Sequence, residues 1–285
     1  MHLCSSEIYI IISATLIINP EAPGQNRKGL QVYWRPASRE VFVNTISLII
    51  PAYNEERYLP KLLDSLEAPR KNYEDGGRAL EVILVDNGST DHTAEIARGR
   101  GCILAHEKKR IIGAVRNKGA RKAQGEFLAF TDADNQIHPD TFNAIHDALQ
   151  SPTIIAGTTG VHLERMSLGI AAAYAILVPM VWATGMDTGV VFCRKKDFQA
   201  IHGYNEERLF AEDVQLLWDL LRLGKRRGQR LVRLRRFKAI TSTRKFDHFG
   251  DWHFLWLMLR FIISLVVPWY SLDRVARRYW YSDQR

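Results

Sequence analysis

From Ile46 onward, apolar and polar positions alternate between two rhythms. Ile46 to Pro51 is a short run rich in β-branched residues, the signature of a buried strand. Leu59, Leu62, Leu63 and Leu66 then recur at helical spacing within Glu55 to Leu66. Glu81 to Val85 predicts a second strand, and Thr90 and Asp91 can cap a helix reaching about Arg98. Cys102 to Ala105 predicts a third strand, Ile112 to Gln124 a helix, and Phe127 to Phe130 a fourth strand. Pro139 opens another helix at its first turn. Repeated βα units of this length imply an α/β fold with a mainly parallel sheet flanked by helices.

The second half is less regular. Val190 to Cys193 predicts a strand, Asp213 to Leu223 a helix, and Val232 to Ile240 a basic extended segment. Leu168 to Gly185 is an apolar stretch that Pro179 interrupts, and a core helix is the expectation there. Trp252 to Tyr270 is also apolar, with Arg260 near its middle and Pro268 near its end. A charge at the centre of a span costs ~3 kcal/mol, so a helix lying in a membrane interface is favoured over a spanning one. Residues 1–44 read as an N-terminal extension or linker, 45–248 as one catalytic domain, and 249–285 as an apolar and basic C-terminal segment. The apolar run Ile8 to Ile18 lacks a preceding basic residue and is short for a span.

Charge and cysteine usage refine this picture. The formal net charge of +8 is concentrated in Lys225 to Lys238 and in Arg274, Arg277 and Arg278, near the apolar C-terminal stretch. That placement favours an anionic membrane surface over nucleic acid as partner. Three widely spaced cysteines, Cys4, Cys102 and Cys193, give neither a disulfide framework nor a zinc pattern. A reducing compartment is the simplest context, and the expectation is a cytoplasmic protein peripheral on the membrane.

Ligands of open α/β sheets bind beyond the carboxyl ends of the strands. Those ends carry Tyr53-Asn54-Glu55, Asp86-Asn87-Gly88-Ser89 and Thr131-Asp132-Ala133-Asp134. Alternate residues of an extended segment point apart, so Asp132 and Asp134 share one site only if the chain turns there, and Asn135 favours a turn. Two such carboxylates suit Mg²⁺ or Mn²⁺ bridging a diphosphate. Taken alone, an Asp-x-Asp is more often a solvated turn; the alignment with two other clusters raises its weight. Asp86 can accept hydrogen bonds from a base or ribose, and Gly88 permits positive φ; a turn with a helix cap accounts for the same residues. Glu212-Asp213 opens a helix, where acidic residues are favoured for electrostatic reasons alone. The chemical reading is a general base that takes a proton from an attacking hydroxyl. Neither a Gly-x-Gly-x-x-Gly dinucleotide motif nor a Walker A motif occurs.

In number, order and spacing these segments resemble glycosyltransferase family 2, the inverting group with the GT-A fold. The likeness runs from Ile46 to about Lys225. It takes in Ser47 to Glu56, Val85 to Asp91, Arg116-Asn117-Lys118-Gly119, Ala123 to Glu126, Thr131 to Asp134, Gly203-Tyr204-Asn205-Glu206 and Ala211-Glu212-Asp213. The resemblance implies that Pro51, Tyr53, Glu55 and Asp86 hold the nucleoside of a UDP- or GDP-sugar. It also implies that Asp132 meets the ribose or the metal, Asp134 the metal, and that Asp213 is the catalytic base. By position, His248 is a candidate further metal ligand, with Arg244 and Lys245 candidate diphosphate contacts. The chain carries Asp86-Asn87 where the family often has Asp-Asp. The acceptor is unspecified; the Leu168 to Gly185 stretch, where acceptor-binding segments often lie, suggests a lipid-linked one. Two other readings compete. A nucleotidyltransferase would need a Gly-rich, Arg-containing loop after the first strand, where Ala52 to Glu55 stands instead. A non-catalytic nucleotide-binding protein would have no need to keep Asp132, Asp134 and Asp213.

Overall fold

The computed structural model describes residues 45–184, 189–209, 211–253 and 255–256. The N-terminal extension and most of the Trp252 to Tyr270 segment, with the basic residues after it, lie outside the described residues. In chain order the elements are β1 (Thr45–Ala52), α1 (Leu59–Ser65), α2 (Glu67–Glu74), β2 (Ala79–Asp86), α3 (Thr93–Gly99), β3 (Ile103–His106) and α4 (Ile112–Lys122). They continue with β4 (Phe127–Phe130), β5 (Asn135–Gln136), α5 (Thr141–Gln150), β6 (Ile154–Thr158), β7 (Val161–Leu163) and α6 (Leu168–Thr184). The last are β8 (Val191–Arg194), α7 (Lys195–Ala200), α8 (Glu212–Lys225), β9 (Arg230–Arg233), β10 (Ala239–Thr241) and α9 (Arg244–Phe249).

Seven strands form one sheet in the order β3-β2-β1-β4-β8-β6-β9. β1 pairs in parallel with β2 and β4, and β2 with β3. β8 runs antiparallel to both β4 and β6, so the parallel sheet turns mixed on one side. Strand pleating explains the two cores. Ile46, Leu48, Ile50 and Ala52 of β1 join Leu80, Val82 and Leu84 of β2 on one face, against Leu59, Leu62 and Phe142. Ile49, Ile83 and Val85 face the other way, against Val115 of α4 and Leu216, Leu217 and Leu220 of α8. The result is a helix–sheet–helix sandwich.

The order of the strands fixes where a ligand can sit. From β1 the chain builds outward through β2 and β3, then returns to place β4 on the other side of β1. The crevice beyond the ends of β1 and β4 is therefore a topological switch point. Pairing of β1 with β4 ends at Ile49–Phe130, so Pro51, which has no N–H to donate, falls where β4 has already left the ladder.

A second, three-stranded sheet of order β5-β10-β7 caps that crevice. It corrects the single extended segment expected over Val232 to Ile240. A turn after Leu234 splits that segment, Phe237 N–H donating to the Leu234 carbonyl at 3.0 Å. β9 ends one sheet while β10 belongs to the other. In the first part of α6, Ile170 and Ala173 are buried while Leu168 is 84% and Ile176 57% exposed. The helix starting at Leu59 is also shorter than the Glu55 to Leu66 pattern, because residues 54–56 are engaged elsewhere, as described below. Among the described residues, no helix is long and apolar enough to cross a membrane.

Helix α4 can lie close to the sheet only because residue 119 is glycine. A Cβ there would come within 2.4 Å of Ile49 Cγ2 and 3.0 Å of Val85 Cγ2. Gly119→Ala is expected to cost ~1–3 kcal/mol through overpacking, read as a lowered urea midpoint at unchanged slope. An unchanged midpoint would show that the α4 contact is looser than described.

Candidate functional site

The loops after β1 and β2 are laced together by their own polar residues. Asn54, in a left-handed conformation (φ 52°), receives the Thr90 N–H at 2.8 Å and donates its own N–H to Ser89 Oγ at 3.0 Å. Glu55 N–H donates to Thr93 Oγ1, and Glu56 N–H to Asp91 Oδ2. Gly88 has the positive φ (81°) that the sequence suggested. Asp86 is buried; its Oδ1 accepts the Ser89 N–H at 3.0 Å and its Oδ2 lies 3.3 Å from His106 Nδ1. Tyr53 stands beside it with the Arg110 guanidinium 3.7 Å above the ring centre. Much of the motif thus shapes the loops.

After β4 the chain turns at Ala133 and Asp134, as two converging carboxylates require. Asn135 enters β5, where its side chain bridges Thr131 and Thr241. The second half of the chain closes over this turn. Ser242 N–H donates to the Asp134 carbonyl. Arg244 pairs with Asp134 Oδ2 at 3.0 Å and with both oxygens of Glu55, at 2.9 Å to Oε1. Glu55, expected at the nucleoside, is buried and paired to Arg244. Lys245 acts on Asp132 through charge. His248 is exposed and meets Phe249 edge to face, centroids 4.5 Å apart.

On the other side of β4, one arginine ties three carboxylates together. Arg116 of α4 is buried; its Nη2 donates to Asp132 Oδ1 at 2.8 Å, and its Nη1 to Glu212 Oε1 at 2.9 Å and Asp213 Oδ1 at 2.5 Å. Tyr204 O–H also donates to Asp213, at 2.7 Å. Asn117 holds the Tyr204 segment in place, donating to its carbonyl and accepting its N–H, each at 2.9 Å. Ala211 enters α8 with φ 55°, a strained conformation for a non-glycine residue. The site therefore unites Asp132, Asp134, Glu212 and Asp213, with Arg244 and Lys245 beside them. Sequence reading missed Arg116 as a site residue. It falls inside an ordinary helical pattern, and only its place in the Arg-Asn-Lys-Gly motif singled it out.

Electrostatics describe a cation-deficient site. Glu55, Asp132, Asp134, Glu212 and Asp213 face Arg116, Arg244 and Lys245, five carboxylates against three cations. The surrounding protein opposes charge on Asp132, but Arg116 and Lys245 outweigh it and hold its pKa below the usual range. Burial pushes Asp134 up despite Arg244, with Asp132 adding to the rise. Burial, reinforced by Asp213, pushes Glu212 up to about 7. Two hard oxygen donors and an excess of carboxylates over cations fit Mg²⁺ or Mn²⁺. Among the described residues, no three His, Cys, Asp or Glu side chains are grouped to hold a metal. Asp132 and Asp134 would be its protein ligands, with the other positions left to phosphate oxygens and water.

A carboxylate whose folded pKa is raised from 4.5 to about 7 takes up a proton on folding between those values, so its charge costs stability above pH 7. Glu212→Gln is expected to be more stable than the parent at pH 8, by on the order of 3 kcal/mol at most, and the difference should shrink towards pH 5. Thermal unfolding across that range checks it; a pH-independent difference would contradict the reading.

Known proteins share part of this sequence and its fold. Residues 47–174 match the family described as Glycosyl transferase family 2. An undecaprenyl-phosphate 4-deoxy-4-formamido-L-arabinose transferase of Pseudomonas paraeruginosa is 37% identical over 105 residues, 34% of this chain and 30% of that protein. The dolichyl-phosphate beta-glucosyltransferase ALG5D of Trichomonas vaginalis is 29% identical over 155 residues, 48% of this chain and 47% of that one. Both alignments span less than half of the relative's own length. The structure of S. aureus TarS 1-349 in complex with UDP-GlcNAc superposes with a TM-score of 0.51 at 20% identity, covering 70% of this chain and 58% of that one. That likeness shows the fold, a GT-A arrangement. Over residues 47–174, a little under half of its length, the chain is similar to glycosyltransferase family 2.

Proposed function

We propose that this domain transfers a sugar from a nucleotide-diphosphate sugar to an acceptor hydroxyl or phosphate carried on a lipid, with inversion at the anomeric carbon. The observation that carries the reading is the joining of Asp132, at the donor end of the site, to Glu212 and Asp213 through one buried guanidinium. Leaving-group stabilisation and proton removal are thereby held at fixed separation, as a single in-line displacement needs. Tyr53 and Asp86 would receive the nucleoside, and Arg244 and Lys245 would face the diphosphate. A divalent cation at Asp132 and Asp134 would neutralise charge developing on the leaving diphosphate. Asp213, oriented by Arg116 and Tyr204, would take the proton from an attacking hydroxyl or from a singly ionised acceptor phosphate. Glu212 beside it is poised to be protonated near neutrality, which keeps a second negative charge away from the base.

The lipid acceptor is supported by the exposed apolar side chains around α6 and the segment after α9. Leu168, Ile176, Trp252 and Trp256 are all more than half exposed. Arg165 anchors the start of α6 to Asp247 and Asp251 at 2.6 and 2.7 Å, so this apolar surface adjoins the segment that bears Arg244 and Lys245. Both sequence relatives named above carry a lipid phosphate in their names. A peripheral position on the cytoplasmic face of a membrane follows from the same reading.

The test is release of nucleoside diphosphate from UDP- and GDP-sugars, with and without vesicles containing a polyprenyl phosphate. Activity is expected with vesicles only, and Asp213→Asn should lower kcat by roughly 10²- to 10⁴-fold while nucleotide affinity stays within about twofold. Activity unchanged in Asp213→Asn would remove that residue as the base. Full activity on a soluble acceptor without vesicles would remove the lipid.

A further inference from the structure

The basic run from Lys225 to Lys238 holds no acidic residue, and the fold divides it between the two ends of the sheet. β9 runs parallel to β6, and through the antiparallel β8 it points the same way as β4. Arg233 lies in the row of Thr158, Val191 and Phe130 that crosses the sheet just before Asp132. Arg235, Arg236 and Lys238 follow beyond that row, at the end of the sheet that carries the site. α8 starts at this end with Glu212 and runs away from it for 14 residues, about 21 Å. Lys225 and Arg226 at its close, and Arg230 at the start of β9, therefore stand at the far end. All six of these cations are exposed.

The turn that bears Arg235, Arg236 and Lys238 is held from both sides. Leu234 N–H donates to the Thr158 carbonyl at 2.8 Å, and Ala239 N–H to the Gly160 carbonyl at 3.1 Å. Ala239 is buried while Lys238 and Ile240 are exposed, as alternation along a strand requires. A cation and an apolar side chain thus share the outer face of the small sheet. β7, parallel to β10, carries the chain on to Leu168, and β10 carries it through α9 to Trp252 and Trp256, all three exposed. The acidic side chains along these segments are already matched. Glu164 pairs with Lys61, and Asp247 and Asp251 with Arg165. Arg236 and Lys238 have no acidic partner among the described residues. Charge on an unpaired edge strand commonly blocks pairing with another chain, which accounts for Arg230 and Arg233. It does not account for Arg235, Arg236 and Lys238, which lie outside the β9 ladder.

We propose that the turn over residues 235–238, together with the exposed apolar side chains beyond the small sheet, is the face by which the protein docks on an anionic bilayer. The cations would meet lipid phosphates and the tryptophans would sit at headgroup level. A nucleic acid would match the cations but leave Leu168, Trp252 and Trp256 in water. The proposal rests on the lipid-acceptor reading given above and names the surface that brings the site to that acceptor.

The experiment is co-sedimentation of the full chain with vesicles of phosphatidylcholine alone and of phosphatidylcholine mixed with phosphatidylglycerol. Two triple variants with the same change of charge are compared. One joins Arg235→Gln, Arg236→Gln and Lys238→Gln; the other joins Lys225→Gln, Arg226→Gln and Arg230→Gln. A basic residue at an anionic surface contributes about fivefold, so the first triple is expected to lose at least about 20-fold in affinity for the mixed vesicles. The second should stay within about twofold of the parent, because its charges stand beyond a Debye length of ~10 Å from the docked face. Unchanged thermal unfolding shows that both variants fold. Equal loss in the two triples, no loss in the first, or equal binding of the parent to both kinds of vesicle would overturn the face and leave the lipid acceptor intact. Tighter binding of the parent to a short DNA duplex than to the mixed vesicles, lost in the first triple, would assign the face to nucleic acid and also overturn it. A parent that binds neither kind of vesicle would overturn both the face and the lipid-acceptor reading.

Discussion

The site depends on one buried cation. Arg116 reaches from α4 across the end of β4 and meets carboxylates that arrive from two distant parts of the chain, Asp132 after β4 and Glu212 with Asp213 at the start of α8. Burying a guanidinium costs several kcal/mol, and only close opposite charge makes it tolerable. Here three carboxylates supply that charge, and the excess keeps Arg116 ionised. The same excess leaves Glu212 reluctant to ionise and Asp134 raised. A fold that needed only stability would have an apolar cluster at this place. The retained cluster is an electrostatic frame that a bound cation and a diphosphate can complete.

Topology decides where that frame stands. β4 returns to the far side of β1 and opens a crevice beyond the strand ends, and Gly119 lets α4 approach closely enough for Arg116 to reach it. The small sheet of β5, β7 and β10 then delivers Arg244 from 189 residues beyond Glu55. Two arginines from opposite sides hold the two carboxylates of the Asp132-Ala133-Asp134 turn. Arg116 pairs with Asp132 and Arg244 with Asp134, and Arg244 also acts on Asp132 through charge.

The strands and helices from Ile46 to Phe130 were legible because each buries a face, and burial writes a period into the sequence. The three loop clusters were legible because such loops must be polar. What escaped was what periodicity cannot carry. Arg116 and Asn117 look like ordinary helix residues, yet Tyr204, Glu212 and Asp213, which they hold, lie 87 to 97 residues away in the second half. Glu55 resembles a ligand contact in sequence and pairs with Arg244 in space. The Val232 to Ile240 segment kept a strand-like composition through a turn that Leu234 to Phe237 make.

The claim that the excess of carboxylates awaits a divalent cation and a diphosphate together is tested most directly by linked binding. Mn²⁺ affinity would be titrated calorimetrically with and without saturating UDP, in the parent and in Asp132→Asn. Each ligand is expected to tighten the other by the same factor, at least about tenfold, and the coupling should vanish in the variant. Mn²⁺ binding that is indifferent to the nucleotide, or coupling that survives without Asp132, would contradict a shared site at the end of β4.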